Sequence, residues 1–159
     1  MDYKNLTRED FDAVVTGELT HYAIWLESVI IDIITDFFVL KERRAEFERL
    51  LLRRDGLTFQ DKLEITRGML PLFTNREGAD RLKNLLGKIE DFKSKRNSFA
   101  HGLDVTPCEI ASPTVHIEII TRSGKGKVVV VTPESHIEML DHAEDLLKEA
   151  QSIRNLLRL

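Results

Sequence analysis

The run Tyr22–Leu40 constrains this chain more than any other stretch. It is apolar around most of a helical circumference, yet it carries Glu27, Asp32 and Asp36. Three carboxylates make insertion into a bilayer too costly. The first residues are polar, with no apolar segment after a basic start, so no signal peptide is expected. The run reads instead as part of a helix from Thr7 to about Leu40, opened by a Thr7/Asp10 capping box. Such a helix is buried on most sides, at the centre of a helical bundle or in an interface between two copies. Ser28, Asp32, Thr35 and Asp36 form a polar stripe, whereas Glu27 falls among Ala23, Ile31, Ile34 and Phe38. A carboxylate there either reaches water at a rim or needs a cation beside it.

The rest of the chain reads as further helices with one interruption. Glu42–Leu52 is a short charged helix closed at Arg53-Arg54-Asp55-Gly56. Thr58 and Asp61 open another helix, with Phe59, Leu63, Thr66 and Leu70 on one face and Pro71 at its end. A long helix is expected from about Ala79 to His101. After Gly102 the period changes: Val115, Ile117 and Ile119 alternate with His116 and Glu118, Ser123–Gly126 is a turn signal, and Lys127–Val131 is a second strand. Thr132-Pro133 is an N-cap followed by proline at the first helical position. The final helix has Ile137, Leu140, Ala143, Leu147, Ala150 and Leu157 as its stripe, with His136 and His142 on the surface. The fold class expected is mainly α, one domain over residues 1–159, with a β-hairpin at about 114–131 before the C-terminal helix. The single cysteine, Cys108, excludes an internal disulfide and suits a reducing cytoplasm.

Chemistry concentrates at the end of the Ala79–His101 helix. Leu82, Leu85, Ile89, Phe92 and Phe99 share one stripe, and Arg96 falls inside it. Arg96 is thus the candidate cation for Glu27. Asn97 and His101 stand one turn apart on the adjoining face, close enough to touch. Gly102 ends the helix, with a left-handed C′ conformation expected. Residues 81–102 hold six basic and two acidic side chains, a net of +4 in a chain of net charge −4. Lys88, Lys93 and Lys95 in that basic stretch are candidate contacts to a polyanion.

The run Arg96-Asn97-Ser98-Phe99-Ala100-His101 resembles the R-x4-6-H motif of HEPN domains (higher eukaryote and prokaryote nucleotide-binding), over about fifteen residues from Lys88. The resemblance implies an antiparallel helical bundle and a metal-independent endoribonuclease, of a kind often found in toxins and antiviral defence. The RNA 2′-hydroxyl would attack the adjacent phosphate, giving 2′,3′-cyclic phosphate ends with neither metal nor cofactor. His101 suits the proton transfers, since an imidazole ordinarily titrates at about pH 6.5. Arg96 suits the charge of the phosphorane. Asn97 suits orientation of the imidazole or contact with a phosphate oxygen. One chain supplies one such histidine, so the resemblance implies a homodimer on single-stranded RNA. It also implies a cognate antitoxin or nucleotidyltransferase as partner. Position 103 is Leu where some members carry a tyrosine for nucleotide attachment, so that regulation is not carried over. Two alternatives stand beside the enzyme: a non-catalytic module binding RNA, nucleotide or protein, and a helical regulator like the mannitol operon repressors. No helix-turn-helix with a basic recognition face favours the last.

Overall fold

The computed structural model describes residues 2–120 and 123–157. It is mainly helical, with a small antiparallel sheet before the C-terminal helix. The elements in order are α1 (Arg8–Phe38), α2 (Arg44–Phe47), α3 (Phe59–Met69), α4 (Arg76–His101), β1 (Leu103–Asp104), β2 (Val115–Ile120), β3 (Gly126–Val131) and α5 (Pro133–Leu157). No helix among the described residues is long and apolar enough to cross a membrane. The described chain packs as two compact units, one of residues up to 23 with 91–144, the other of 24–90 with those from 145 on.

The first unit holds the sheet. Val115, Ile117 and Val131 turn inward and meet Phe11, Val15 and Leu19 of α1 and Phe92 and Phe99 of α4 in the buried set. β2 and β3 form the expected antiparallel hairpin, with Val115 opposite Val131 and Ile120 opposite Gly126. Gly124 takes φ +77° in the connecting turn, a conformation that favours a residue without a Cβ. Sequence reading missed β1, which adds Leu103–Asp104 to the far side of β2. Two residues are too few to show a period of two.

Gly102 corrects one expectation. It does not adopt the left-handed conformation. Its glycine is needed for close approach instead: a Cβ there would collide with Ile117 Cγ2 and stand 2.6 Å from the Ser98 carbonyl oxygen. The end of α4 is thereby held against β2.

The second unit is helical. Leu26, Ile30 and Ile34 of α1, Leu63 and Met69 of α3, Leu82, Leu85, Leu86 and Ile89 of α4, and Ala150 and Ile153 of α5 form its core. The Thr58/Asp61 capping box is complete in both directions. The Glu42–Leu52 helix is broken into a 3-10 turn (Lys41–Arg43), α2 and a π-turn (Glu48–Leu52), with Gly56 at φ +98° after it. Asp32 and Asp36 are shared between Arg44 and Arg154; Arg154 donates to Asp32 at 2.6 Å and to Asp36 at 2.7 Å. Burial alone would raise the Asp36 carboxyl, but the two guanidiniums outweigh it and hold it below its ordinary value.

Glu27 does sit on an apolar face, and its cation is Lys62 of α3, not Arg96. Lys62 is almost wholly buried, whereas Glu27 keeps about a quarter of its side chain exposed. Most of the apolar side chains between Ile24 and Phe38 are buried; Ile24, Trp25 and Phe38 are the large apolar side chains left exposed there.

Candidate functional site

The motif occupies the last two turns of α4, in the first unit. Its stripe fixes the orientation: Phe92 and Phe99 are buried, so Arg96, 40° from Phe92 on the wheel, is drawn half inside. Arg96 Nε donates to Thr20 Oγ1 of α1 at 3.3 Å, and Nη1 donates to Asn97 Oδ1 at 2.9 Å. Among the described residues no carboxylate pairs with this guanidinium and Nη2 makes no hydrogen bond. A half-buried guanidinium held by two neutral acceptors keeps its charge available to an incoming anion.

Asn97 turns its Oδ1 to Arg96, and among the described residues no hydrogen bond joins it to His101. His101 is exposed at the last position of α4 and hydrogen-bonds no described residue. The three motif side chains thus form a fixed cation with an open acid–base group just beyond it. Lys95 is exposed beside Arg96, and Lys93 is half-buried. Lys88 belongs to the other unit, where Glu149 engages its ammonium at 2.9 Å.

A cavity of about 640 Å³ opens beside the motif, between α4, β3 and α5. Arg96, Ser98 and Phe99 line it from the motif, Lys127 and Val131 from β3, and Met139 and His142 from α5. Asn97 and His101 lie outside that lining. Sequence reading missed the cavity and missed Thr20; a threonine on an amphipathic helix carries no signal that an arginine seventy-six residues away will use its hydroxyl.

A second polar group in this unit was misread. His136, expected on the surface, is fully buried. Its Nε2 meets Glu18 Oε2 at 2.6 Å, and the Tyr3 hydroxyl donates to the same oxygen at 3.0 Å. Tyr3 and Phe11 pack edge-on against the imidazole. The inward stripe of α5 is His136, Ala143, Leu146, Ala150 and Ile153, one residue out of step with Ile137, Leu140 and Leu147. Burial, then the bond to Glu18, pushes the Tyr3 phenol up to about 12. A group whose pKa is raised on folding stabilises the protein fully below its unfolded value, about 10, and loses that contribution as pH climbs through the folded value. Between pH 10 and 12 the wild type should therefore lose melting temperature more steeply than Tyr3→Phe. Parallel alkaline melting curves for the two proteins would refute this account of Tyr3.

Comparison with protein-family models, with curated proteins and with solved structures finds no match to this chain.

Proposed function

We propose that the chain is a metal-independent endoribonuclease of HEPN type, an antiparallel helical bundle acting as a homodimer on single-stranded RNA in the cytoplasm. The observation that carries the reading is Arg96: a half-buried guanidinium, oriented by Thr20 and Asn97, without a carboxylate among the described residues, and just before an exposed histidine. That arrangement suits a phosphodiester. Arg96 would hold the non-bridging oxygens and offset the charge gained as the 2′-oxygen bonds to phosphorus. One His101 would take the 2′-hydroxyl proton, and a second, from the other copy, would give a proton to the departing 5′-oxygen. The P–O5′ bond breaks and a 2′,3′-cyclic phosphate remains. Ile24 and Trp25, each about half exposed, are apolar groups available to such a dimer.

The test is incubation of the pure protein with an RNA oligonucleotide and the matching DNA, both in EDTA. RNA should be cut to 2′,3′-cyclic phosphate ends while DNA survives, because DNA lacks the nucleophile. Light scattering should show the active species as a dimer. Cleavage that needs magnesium, or that includes the DNA, would overturn the mechanism, and a non-catalytic RNA- or protein-binding module would take its place.

A further inference from the structure

We propose that the 640 Å³ cavity of the first unit binds an amphiphilic anion, an acyl chain ending in a carboxylate. Its volume lies within the range of small-molecule sites, roughly 300–1,000 Å³. Leu19, Phe92, Phe99, Ile119, Val131 and Met139 make most of its wall apolar. Three cations, Lys95, Arg96 and Lys127, line it against one carboxylate, Glu138, beside the exposed His142. Lys95 and Lys127 are exposed and well solvated, so each contributes little. Arg96 is half-buried with Nη2 unbonded among the described residues, and a guanidinium fork matches a carboxylate.

The neutral polar groups decide between an aliphatic chain and a nucleobase. Ser98 Oγ donates to the Ser94 carbonyl at 2.9 Å, and Ser135 Oγ donates to the Thr132 carbonyl at 3.1 Å while accepting from the Thr132 amide at 2.9 Å. The protons of these two hydroxyls are thus spent on their own backbone, and Ser94 is the remaining neutral hydroxyl of the lining. A base buried against this mostly apolar wall would leave part of its donor and acceptor edge unpaired, an edge that an acyl chain does not have. The inference does not depend on ribonuclease activity, although Arg96 serves both, so that a bound carboxylate would compete with RNA for it.

Calorimetric titration of the full chain with decanoate, octanoate, decanol and adenosine monophosphate tests this, with amide chemical-shift mapping of the decanoate complex. Decanoate should saturate at one per chain and shift amides of β3, α5 and residues 92–99. Octanoate should bind about tenfold more weakly or worse, since each buried methylene is worth roughly fourfold. Decanol, without the charge, should bind at least about tenfold more weakly. Arg96→Gln should lose a similar factor, and Met139→Trp, which fills the cavity, should abolish saturation. Should either variant fail to fold, the wild-type ligand series and the shift map still decide. Absence of saturable decanoate binding would overturn the proposal. So would equal affinity for decanol, adenosine monophosphate binding in its place, or shifts away from the cavity.

Discussion

Glu27→Ala should lower the melting temperature far more than an ordinary surface substitution. Lys62 keeps only 6% of its side chain exposed, and Glu27 is the carboxylate that meets its ammonium. Removing that carboxylate leaves a cation with neither water nor a counter-charge, at a cost of about 3–5 kcal/mol. For a chain of this size that corresponds to roughly 6–20 °C in a thermal melt. The double replacement Glu27→Leu with Lys62→Met separates two explanations. If the loss comes from the stranded charge, the double variant should recover most of it, because apolar residues of similar volume commonly replace a buried ion pair at little cost. If the loss came from missing side-chain volume at position 27, Lys62→Met added to Glu27→Ala would give no recovery. A Glu27→Ala melt within about 2 °C of wild type would show that Lys62 finds water when its partner goes.

The same pair shows where sequence reading stops. Glu27 was legible as a carboxylate on an apolar face because its wheel neighbours Ala23, Ile31 and Ile34 are apolar, and they are buried. Its partner was not. Arg96 was the attractive candidate because it too lies in an apolar stripe. Lys62 lies next to Leu63, and a lysine stem long enough to snorkel is an ordinary neighbour for a leucine. Pairing is a tertiary fact, and helical periodicity carries none of it. By contrast, the orientation of α4 followed from periodicity alone, since Leu82, Leu85, Ile89, Phe92 and Phe99 all turn inward. The Thr58/Asp61 capping box, the Thr7 cap on Asp10 and the β2–β3 hairpin were legible for the same reason: each depends on residues close in sequence.

His136 failed for a subtler cause. The apolar residues Ile137, Leu140 and Leu147 drew the stripe of α5 one residue away from its true centre. Spacings of seven link His136 to Ala143 and Ala150, and Leu146 to Ile153. Ala143 and Ala150 belong to the expected stripe and are buried, but alanine is a weak marker of a buried face, and the larger Ile137, Leu140 and Leu147 outweighed them in placing the histidine outside. Glu18, its partner, looks like a solvated acid on α1 until Tyr3 and His136 are seen to converge on one oxygen. Gly102 was recognised as special and assigned the wrong reason. A glycine after a helix serves as a C′ residue or admits a close neighbour, and the φ of Gly102 together with the approach of Ile117 and the Ser98 carbonyl distinguishes the two.

On the ribonuclease reading, His101→Ala and Arg96→Ala should each lose at least about a hundredfold in cleavage rate, the scale of a removed general acid–base or a removed charge clamp. The two losses have different controls. His101 is exposed and bonds no described residue, so its alanine variant should melt like wild type; a lost activity there is chemical. Arg96 also ties α4 to Thr20, so its alanine variant carries a structural risk. Thr20→Val isolates that risk, because it removes the hydroxyl that accepts from Nε and keeps the guanidinium and its bond to Asn97. If Arg96 acts on the phosphate, Thr20→Val should cost only severalfold, about the worth of one modest hydrogen bond, while Arg96→Ala stays inactive. Arg96→Lys should fall between them, with the charge kept and the two-pronged geometry gone. If Arg96 matters only as a strut, Thr20→Val and Arg96→Ala should fail together and by similar factors. Cleavage that survives His101→Ala in a protein with a wild-type melt would end the catalytic reading, whatever the arginine series shows.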